Sequence, residues 1–213
     1  MTMSTRRFVS IVLAVTALCM SPLPTLRANN DQWGLTLGYY MAIPVSAMHD
    51  FVDRYSWQGL GGEVTYLATE SDHIGFAAGW QRFDGLYRDA LSEFAGGAVY
   101  GTQVRSITAI PLLIKATHTI GDPIQKIRPY LSLGAGAYVV TEVMDVGLYE
   151  FSSTNVHLGF MPAVGLNFRL GYRNNLLLQV DYNAALSSGT NVFGRTDNHQ
   201  NYIGLKALLH FGR

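Results

Sequence analysis

The fold is constrained most by an unbroken alternation of apolar residues with small or polar ones between Val156 and Leu170. After a short polar turn at 172–175, the same alternation continues from Leu176 to Ser187. A period of two indicates β-strands, because successive side chains of a strand point to opposite faces. The stretch 155–187 is therefore predicted to form two antiparallel strands of one hairpin.

The polarity of these two strands predicts a membrane barrel. Both are roughly twice as long as the five or six residues of an average globular strand. One face carries Leu, Val and Phe, while the other is rich in Gly, Ala and Asn and has few charges. This pattern suits a narrow lumen whose outer, apolar face meets lipid, and a tilted membrane strand needs only about 9–11 residues. A soluble lipocalin-like barrel remains the alternative, with Leu158 and Leu178 packed inside.

The N-terminus has the pattern of a secretory signal peptide. Arg6 and Arg7 precede an apolar run that ends at Cys19, and prolines and small residues follow up to Ala28. We predict cleavage after Ala28, which gives a signal peptide at 1–28 and a barrel domain at 29–213. The only cysteine would leave with the peptide, so no disulfide is expected. The full chain carries 15 basic and 15 acidic residues, and three of the arginines lie in the predicted peptide. The mature chain would therefore have a net charge of −3, which does not favour nucleic-acid binding.

The rest of the chain repeats the strand pattern. Six further strands are predicted, at 33–47, 57–70, 74–83, 99–119, 128–143 and 199–211. Together they give an all-β fold, an eight-stranded antiparallel up-and-down transmembrane β-barrel with long external loops and short periplasmic turns. Closure of the barrel would leave no unpaired strand edge in lipid. The external loops are predicted at 48–56, 84–98, 144–154 and 187–198.

The last strand carries a family resemblance. Its outward residues end at Phe211, and it looks like the C-terminal sorting strand of outer-membrane barrels. Phe211 is followed by Gly212 and Arg213, whereas the family typically ends on the aromatic residue. With Ile110–Leu113, Arg128–Leu131 and the glycine-rich 134–138, residues 29–213 resemble the small bacterial outer-membrane barrels that include the OmpA transmembrane domain, OmpX and OmpW. The residues assigned to the sorting strand are Tyr202, Ile203, Leu205, Leu209 and Phe211.

The resemblance implies an outer-membrane location. It also implies contact with membrane lipid and lipopolysaccharide, and insertion by the barrel-assembly machinery. A surface ligand is not specified by the sequence.

Charged residues at inward positions are the candidate functional residues. An eight-stranded interior is just wide enough for side chains to fill, and buried charges are tolerated when they are paired. Asp181 and Lys206 fall near mid-height on neighbouring strands and are predicted to pair. The predicted lumen charge network consists of Glu63, Arg105, Lys115, Glu142, Arg169, Asp181 and Lys206. A salt-bridged plug is the favoured interpretation of this network, and a gated narrow pore is the alternative.

Aromatic residues are predicted to form two girdles at the membrane interfaces. Trp33, Phe168, Tyr172 and Phe211 map to one end of the barrel. Trp57, Trp80, Phe83, Tyr87 and Tyr100 map toward the other end.

The sequence contains no strong catalytic or metal-binding motif. The pairs Ser132 with His157 and Ser187 with His199 have no local signature of a hydrolase triad, and the histidines lack metal-ligand spacing. No enzyme activity, cofactor or metal is therefore expected. The favoured function is a structural or surface-interaction role through the external loops. A narrow conduit for small or hydrophobic solutes and a lipid-modifying enzyme remain as alternatives.

Overall fold

Eight antiparallel strands form a closed barrel in the computed structural model, in which each strand pairs with the next and the last pairs with the first. This confirms the predicted fold class. The strands are β1 (Trp33–Val45), β2 (Gln58–Leu67), β3 (Asp72–Phe94), β4 (Gly97–Thr119), β5 (Ile127–Val146), β6 (Tyr149–Arg169), β7 (Asn174–Ala185) and β8 (Gln200–Phe211), and one short helix, α1 (Ala47–Phe51), follows β1.

The structure describes residues 32–94, 97–171, 174–193 and 198–212. The predicted signal peptide at 1–28 and the predicted girdle residue Tyr172 lie outside these ranges. Among the described residues, no helix combines the length and apolar character that crossing a membrane requires.

The two faces of the barrel wall differ in polarity, as the sequence predicts. Along β6, the outward Leu158 is 70% exposed, while its neighbour His157 is fully buried in the interior. Along β7, Val180 is 46% exposed and Asp181 is 2% exposed. Along β6 and β7, large apolar side chains therefore cover the outside while His157 and Asp181 lie inside, which is the reverse of a soluble barrel.

Two of the predicted external loops are wrong. Residues 84–94 and 97–98 belong to β3 and β4, and residues 144–146 and 149–154 belong to β5 and β6. Only residues 95–96 and 147–148 separate these strands. Polar side chains on 84–98 indicate contact with water, but they leave backbone pairing intact, so the ladder continues beyond the apolar zone.

The two ends of the barrel differ in their connections. Segments 68–71, 120–126 and 170–173 are brief, and we call their side the short-turn end. The opposite side, the long-strand end, carries the β3–β4 and β5–β6 hairpins, the connection 46–57 with α1, and the connection 186–199. Membrane barrels of this kind place their short turns in the periplasm and their longer segments outside the cell.

Aromatic side chains lie at both ends of the outer surface. The rings of Trp33 and Tyr66 are 5.2 Å apart at the short-turn end, where β6 also places Phe168. Tyr55 and Trp57 lie 5.5 Å apart toward the long-strand end, and Trp80 pairs with Leu60 on β2.

The assignment of Phe83 and Tyr87 to the outer girdle is wrong. Odd-numbered residues in this part of β3, such as Gln81, face the interior, and Phe83 is accordingly fully buried. The ring of Tyr87 packs 4.5 Å from the Arg105 guanidinium. Height along the barrel axis suggested a girdle position, but the period of the strand decides which face a side chain occupies.

Candidate functional site in the barrel interior

Two buried ion pairs lie at mid-height in the barrel. Lys115 Nζ is 2.8 Å from Glu63 Oε2, and Lys206 Nζ is 3.0 Å from Asp181 Oδ2. All four side chains are at most 10% exposed. Each lysine thus has a carboxylate partner within hydrogen-bonding distance, as buried charges require.

Gln179 joins the two pairs into one network. It accepts a hydrogen bond of 3.2 Å from Lys115, and its own amide donates one of 2.8 Å to Asp181 Oδ2. Tyr130 donates to the same Gln179 oxygen at 3.2 Å. Charge alone could not single out Gln179 in the sequence, because its importance arises from the register that pairs it with Lys206 on β8 and from barrel closure, which brings Lys115 of β4 within reach.

Aromatic rings fill the space around this network. The ammonium group of Lys206 lies 4.6 Å from the centre of the Tyr40 ring, and Tyr138 donates a hydrogen bond of 3.1 Å to Asn183. A cavity of about 20 Å³ lies between Tyr40, Lys115 and Lys206. One water needs about 10–15 Å³ of such volume, so little more than a single water fits beside the network.

An apolar cluster closes the long-strand end of the interior. Met48 and Phe51 of α1 and the following Val52 are buried, with exposures of 0%, 5% and 0%. They belong to one cluster with inward residues of β3, β4 and β5, including Phe83, Ile107 and Met144. We call Met48, Phe51 and Val52 the α1 stopper. The sequence predicted an external loop at 48–56, and its inward packing was missed, although Phe51-Val52 is an apolar pair within a polar stretch.

Arg105 lies above the mid-height network. Its guanidinium donates to Gln103 Oε1 at 2.9 Å and to Ser92 Oγ at 3.0 Å. It also packs against three rings, at 4.5 Å from Tyr87, 5.6 Å from Phe51 and 5.7 Å from Phe193. Arg105 therefore ties the α1 stopper to the barrel wall.

The other two predicted network members are also separate from the mid-height pairs. Glu142 is 3% exposed, and it accepts hydrogen bonds from Gln200 Nε2 at 2.6 Å and from the Val192 amide at 3.0 Å. Arg169 lies exposed at the short-turn end and donates to the carbonyl oxygen of Pro123 at 3.3 Å. The structure thus brings together four of the predicted seven: Glu63, Lys115, Asp181 and Lys206.

A polar cavity of about 60 Å³ opens below the network, at the short-turn end. Arg128, which the sequence analysis did not select, lines it together with Glu63 and Lys115. The rings of His73 and His210 are 6.4 Å apart there. The remaining lining residues are threonines, asparagines, a tyrosine and a leucine: Thr36, Thr65, Thr117, Thr119, Tyr130, Asn167, Asn175 and Leu177.

The serine and histidine pairs considered for hydrolysis do not form a triad in the described residues. Ser132 pairs with Ala163, whereas His157 pairs with Tyr138 at another height. His199 Nδ1 accepts a hydrogen bond of 3.2 Å from the Ser187 backbone amide. Within the described ranges, no group of three or more His, Cys, Asp or Glu side chains is arranged to hold a metal ion.

Comparison with known proteins identifies the architecture. No protein-family model matches the sequence, and no curated protein matches it. Among solved structures, the neisserial surface protein NspA aligns with a TM-score of 0.51 at 12% identity, over 85% of this chain and 97% of NspA. Ail, the attachment invasion locus protein of Yersinia pestis, aligns with a TM-score of 0.50 at 12% identity, over 84% of this chain and 98% of Ail. The chain has the fold of the small eight-stranded outer-membrane β-barrels.

This fold and the apolar outer face together place the barrel in a bacterial outer membrane. The short-turn end is accordingly periplasmic, and the long-strand end is external. The protease OmpT of Escherichia coli also aligns, with a TM-score of 0.48 at 9% identity, over 89% of this chain and 99% of OmpT. A likeness of that strength carries no argument about activity.

Proposed function

We propose that this barrel is a non-enzymatic surface protein that binds partners through its external β3–β4 and β5–β6 hairpins. The observation that carries the proposal is the set of large apolar side chains at the ends of these hairpins. Leu91 and Tyr100 are a cross-strand pair, 60% and 68% exposed, and Leu148 and Tyr149 are 101% and 73% exposed. Apolar groups held in water on rigid strands favour association with another macromolecule.

Strand pairing makes these hairpins a preorganised surface. The β3–β4 pairing extends to Phe94 and Gly97, and β5–β6 pairing extends to Val146 and Tyr149. β4 also pairs with β5 as far as Gln103 and Val146, so the two hairpins are parts of one sheet. An ordered surface loses less conformational entropy on binding than a flexible loop does.

The charge of the external segments favours a partner that is not a polyanion. Among the described residues on the external side of the Tyr55, Trp57 and Trp80 girdle, acidic side chains outnumber basic ones. The acidic residues outside the barrel interior are Asp50, Asp53, Asp84, Asp89, Glu93, Asp145 and Glu150, and the basic ones are Arg54, Arg82 and Arg88. Ail was solved in complex with a heparin analogue, sucrose octasulfate. A sulfated ligand of that kind suits this external surface poorly, and a protein with an apolar or basic patch suits it better.

The packed interior argues against conduction through the barrel. The mid-height ion pairs and the α1 stopper block the lumen at two levels, and about 20 Å³ remains beside the ion pairs. Planar-bilayer recordings of the purified barrel should therefore show no discrete conductance. Discrete openings that change size in Lys206→Ala would favour the conduit instead.

Contacts with the membrane and the assembly machinery form the second part of the proposal. The outward residues of β1, β6 and β7 contact lipid, and those near the external side contact lipopolysaccharide. β8, with Leu205, Leu209 and Phe211 at least 40% exposed on its outer face, serves as the recognition strand during assembly. Tyr202 belongs to the same strand, but its side chain is buried in the interior.

A surface-display experiment tests the proposed role. Cells that display the barrel are compared for adherence to immobilised extracellular proteins, to glycans and to a layer of the same cells. The variant carries Leu91→Ser, Tyr100→Ser, Leu148→Ser and Tyr149→Ser, and it should lose adherence while keeping its surface level. Ile124→Ser is the matched control, because Ile124 is 81% exposed at the periplasmic end. Equal adherence of the quadruple variant and the parent would contradict the proposal.

A further inference from the structure

Arg128 places a positive charge at the periplasmic mouth, where its side chain is partly buried. Its side chain lines the 60 Å³ cavity, and its Nη1 atom is buried without a hydrogen-bond acceptor in the described part of the chain. A buried guanidinium N–H without an acceptor is costly, and native structures usually provide it with a partner. Nη1 is therefore positioned to donate to an acceptor that binds inside the cavity.

The acidic groups near Arg128 are already engaged. Glu63 is the acid among the described cavity-lining residues, and its carboxylate is 2.8 Å from Lys115. Asp122 lies in the adjacent turn, where its Oδ1 accepts a hydrogen bond of 2.9 Å from the Ile124 amide. Arg169, on the neighbouring strand, adds positive charge at the same mouth. The cavity therefore combines an excess of positive charge with a polar wall.

The cavity wall carries further hydrogen-bond donors, and the size of the cavity suits a small anion. Four threonines line the cavity together with Asn167 and Asn175, and their hydroxyl and amide groups are potential hydrogen-bond donors. The Thr36 hydroxyl is 2.9 Å from His210 Nδ1, which fixes that imidazole ring at the cavity wall. The volume is several times the 10–15 Å³ that one water needs, so a group with three or four oxygen atoms fits.

We propose that this cavity is a binding site for a small oxyanion, a phosphate or carboxylate group, held by Arg128. The planar guanidinium presents its N–H donors in a fork that matches two oxygens of such a group. Hydroxyl and amide donors from β1, β4, β6 and β7 complete its coordination from the other sides. The site opens to the periplasm and is independent of the external surface proposed above.

Nuclear magnetic resonance of the refolded chain in octyl glucoside micelles tests the site, because that detergent carries no anionic group. Inorganic phosphate and acetate are titrated separately at constant ionic strength, with chloride as the comparison ion. Saturable shifts are expected for the amides of Thr36, Thr117, Asn167 and Asn175 and for the Arg128 side-chain N–H. A response to phosphate alone would assign the site to phosphate groups, and a response to acetate alone would assign it to carboxylates.

Two variants separate Arg128 from general positive charge at the mouth. Arg128→Gln should weaken binding by about tenfold or more, since it removes a charge-assisted hydrogen bond. Lys126→Gln is the control and should bind like the parent, because Lys126 is exposed in the 120–126 turn and does not line the cavity. If Arg128→Gln fails to refold, the shift of the Arg128 side-chain N–H signal in the parent decides whether the anion binds at Arg128. Equal binding by parent and Arg128→Gln, an unmoved Arg128 signal, or shifts no different from those with chloride would overturn the proposal.

Discussion

At the scale of single residues, the interior depends on matched charges. Lys206 and Asp181 are 3.0 Å apart, with side-chain exposures of 8% and 0%. Loss of one partner leaves the other as an uncompensated charge in a site that water hardly reaches. By contrast, Arg82 and Asp84 are 2.9 Å apart on the surface, with exposures of 44% and 36%, and solvent screens their attraction.

Lys206→Met should therefore lower the free energy of unfolding by about 3–5 kcal/mol, the usual cost of breaking a buried pair. The double variant Lys206→Met with Asp181→Asn should recover part of this loss, because it removes both charges. Arg82→Gln is the control, and its expected cost is at most about 1 kcal/mol. Urea unfolding of the barrel in lipid vesicles measures all three. Equal costs for Lys206→Met and Arg82→Gln would show that the buried pair has no special role.

At the scale of elements, β3 and β4 are extended beyond the membrane by regular pairing with one irregularity. The register shifts between Tyr87 and Ala90, and Asp89 in this bulge has a φ of 51°. Asp and Asn tolerate this left-handed region better than other residues with side chains, and glycine tolerates it best. The bulge also changes which side chains of β3 face inward, so that Ser92 is buried beside Gln103.

The bulge predicts a clear difference between two substitutions at Asp89. Asp89→Val should destabilise the external hairpin by about 1–2 kcal/mol, because a β-branched residue is strained at positive φ. Asp89→Gly should leave the hairpin as stable as in the parent or slightly more so. Hydrogen exchange of the amides in 84–106 measures the effect, with amides in 72–80 of the same strand as the internal reference. Similar protection in both variants would contradict the role assigned to the positive φ.

The α1 stopper makes a second prediction at this scale. Phe51→Ala should cost about 3–5 kcal/mol of local stability, since the ring is buried against Phe193 and the apolar cluster. Hydrogen exchange of 46–57 should accelerate, while the amides of β7 should remain protected. Bilayer recordings of this variant should still show no discrete conductance, because the mid-height network remains. Stable openings in Phe51→Ala would mean that the stopper alone closes the lumen.

At the scale of the whole molecule, stability depends on which solvent each face meets. Val180 lies near the middle of β7 on the outer face, while Leu170 lies at the periplasmic edge beyond β6. Val180→Arg should destabilise the barrel by about 2–4 kcal/mol, and Leu170→Arg by about 0–1 kcal/mol, because the cost of a charge on the lipid face depends on depth. Equilibrium unfolding in vesicles compares the two variants. Equal costs would indicate that these positions do not lie at different depths in lipid.

The sequence alone determined the number of strands, the outer face of β6 and β7, and the closed architecture. Strict alternation in 156–170 and 176–187 specifies both the direction of each side chain and the solvent of each face, because a strand has only two faces. It also indicated the pairing of Asp181 with Lys206. Tertiary structure decided what depends on register between strands distant in sequence: the link through Gln179, the inward packing of Met48 and Phe51, and the cavity at Arg128. It also decided where strands end, since polar side chains mark contact with water while backbone hydrogen bonds continue across them.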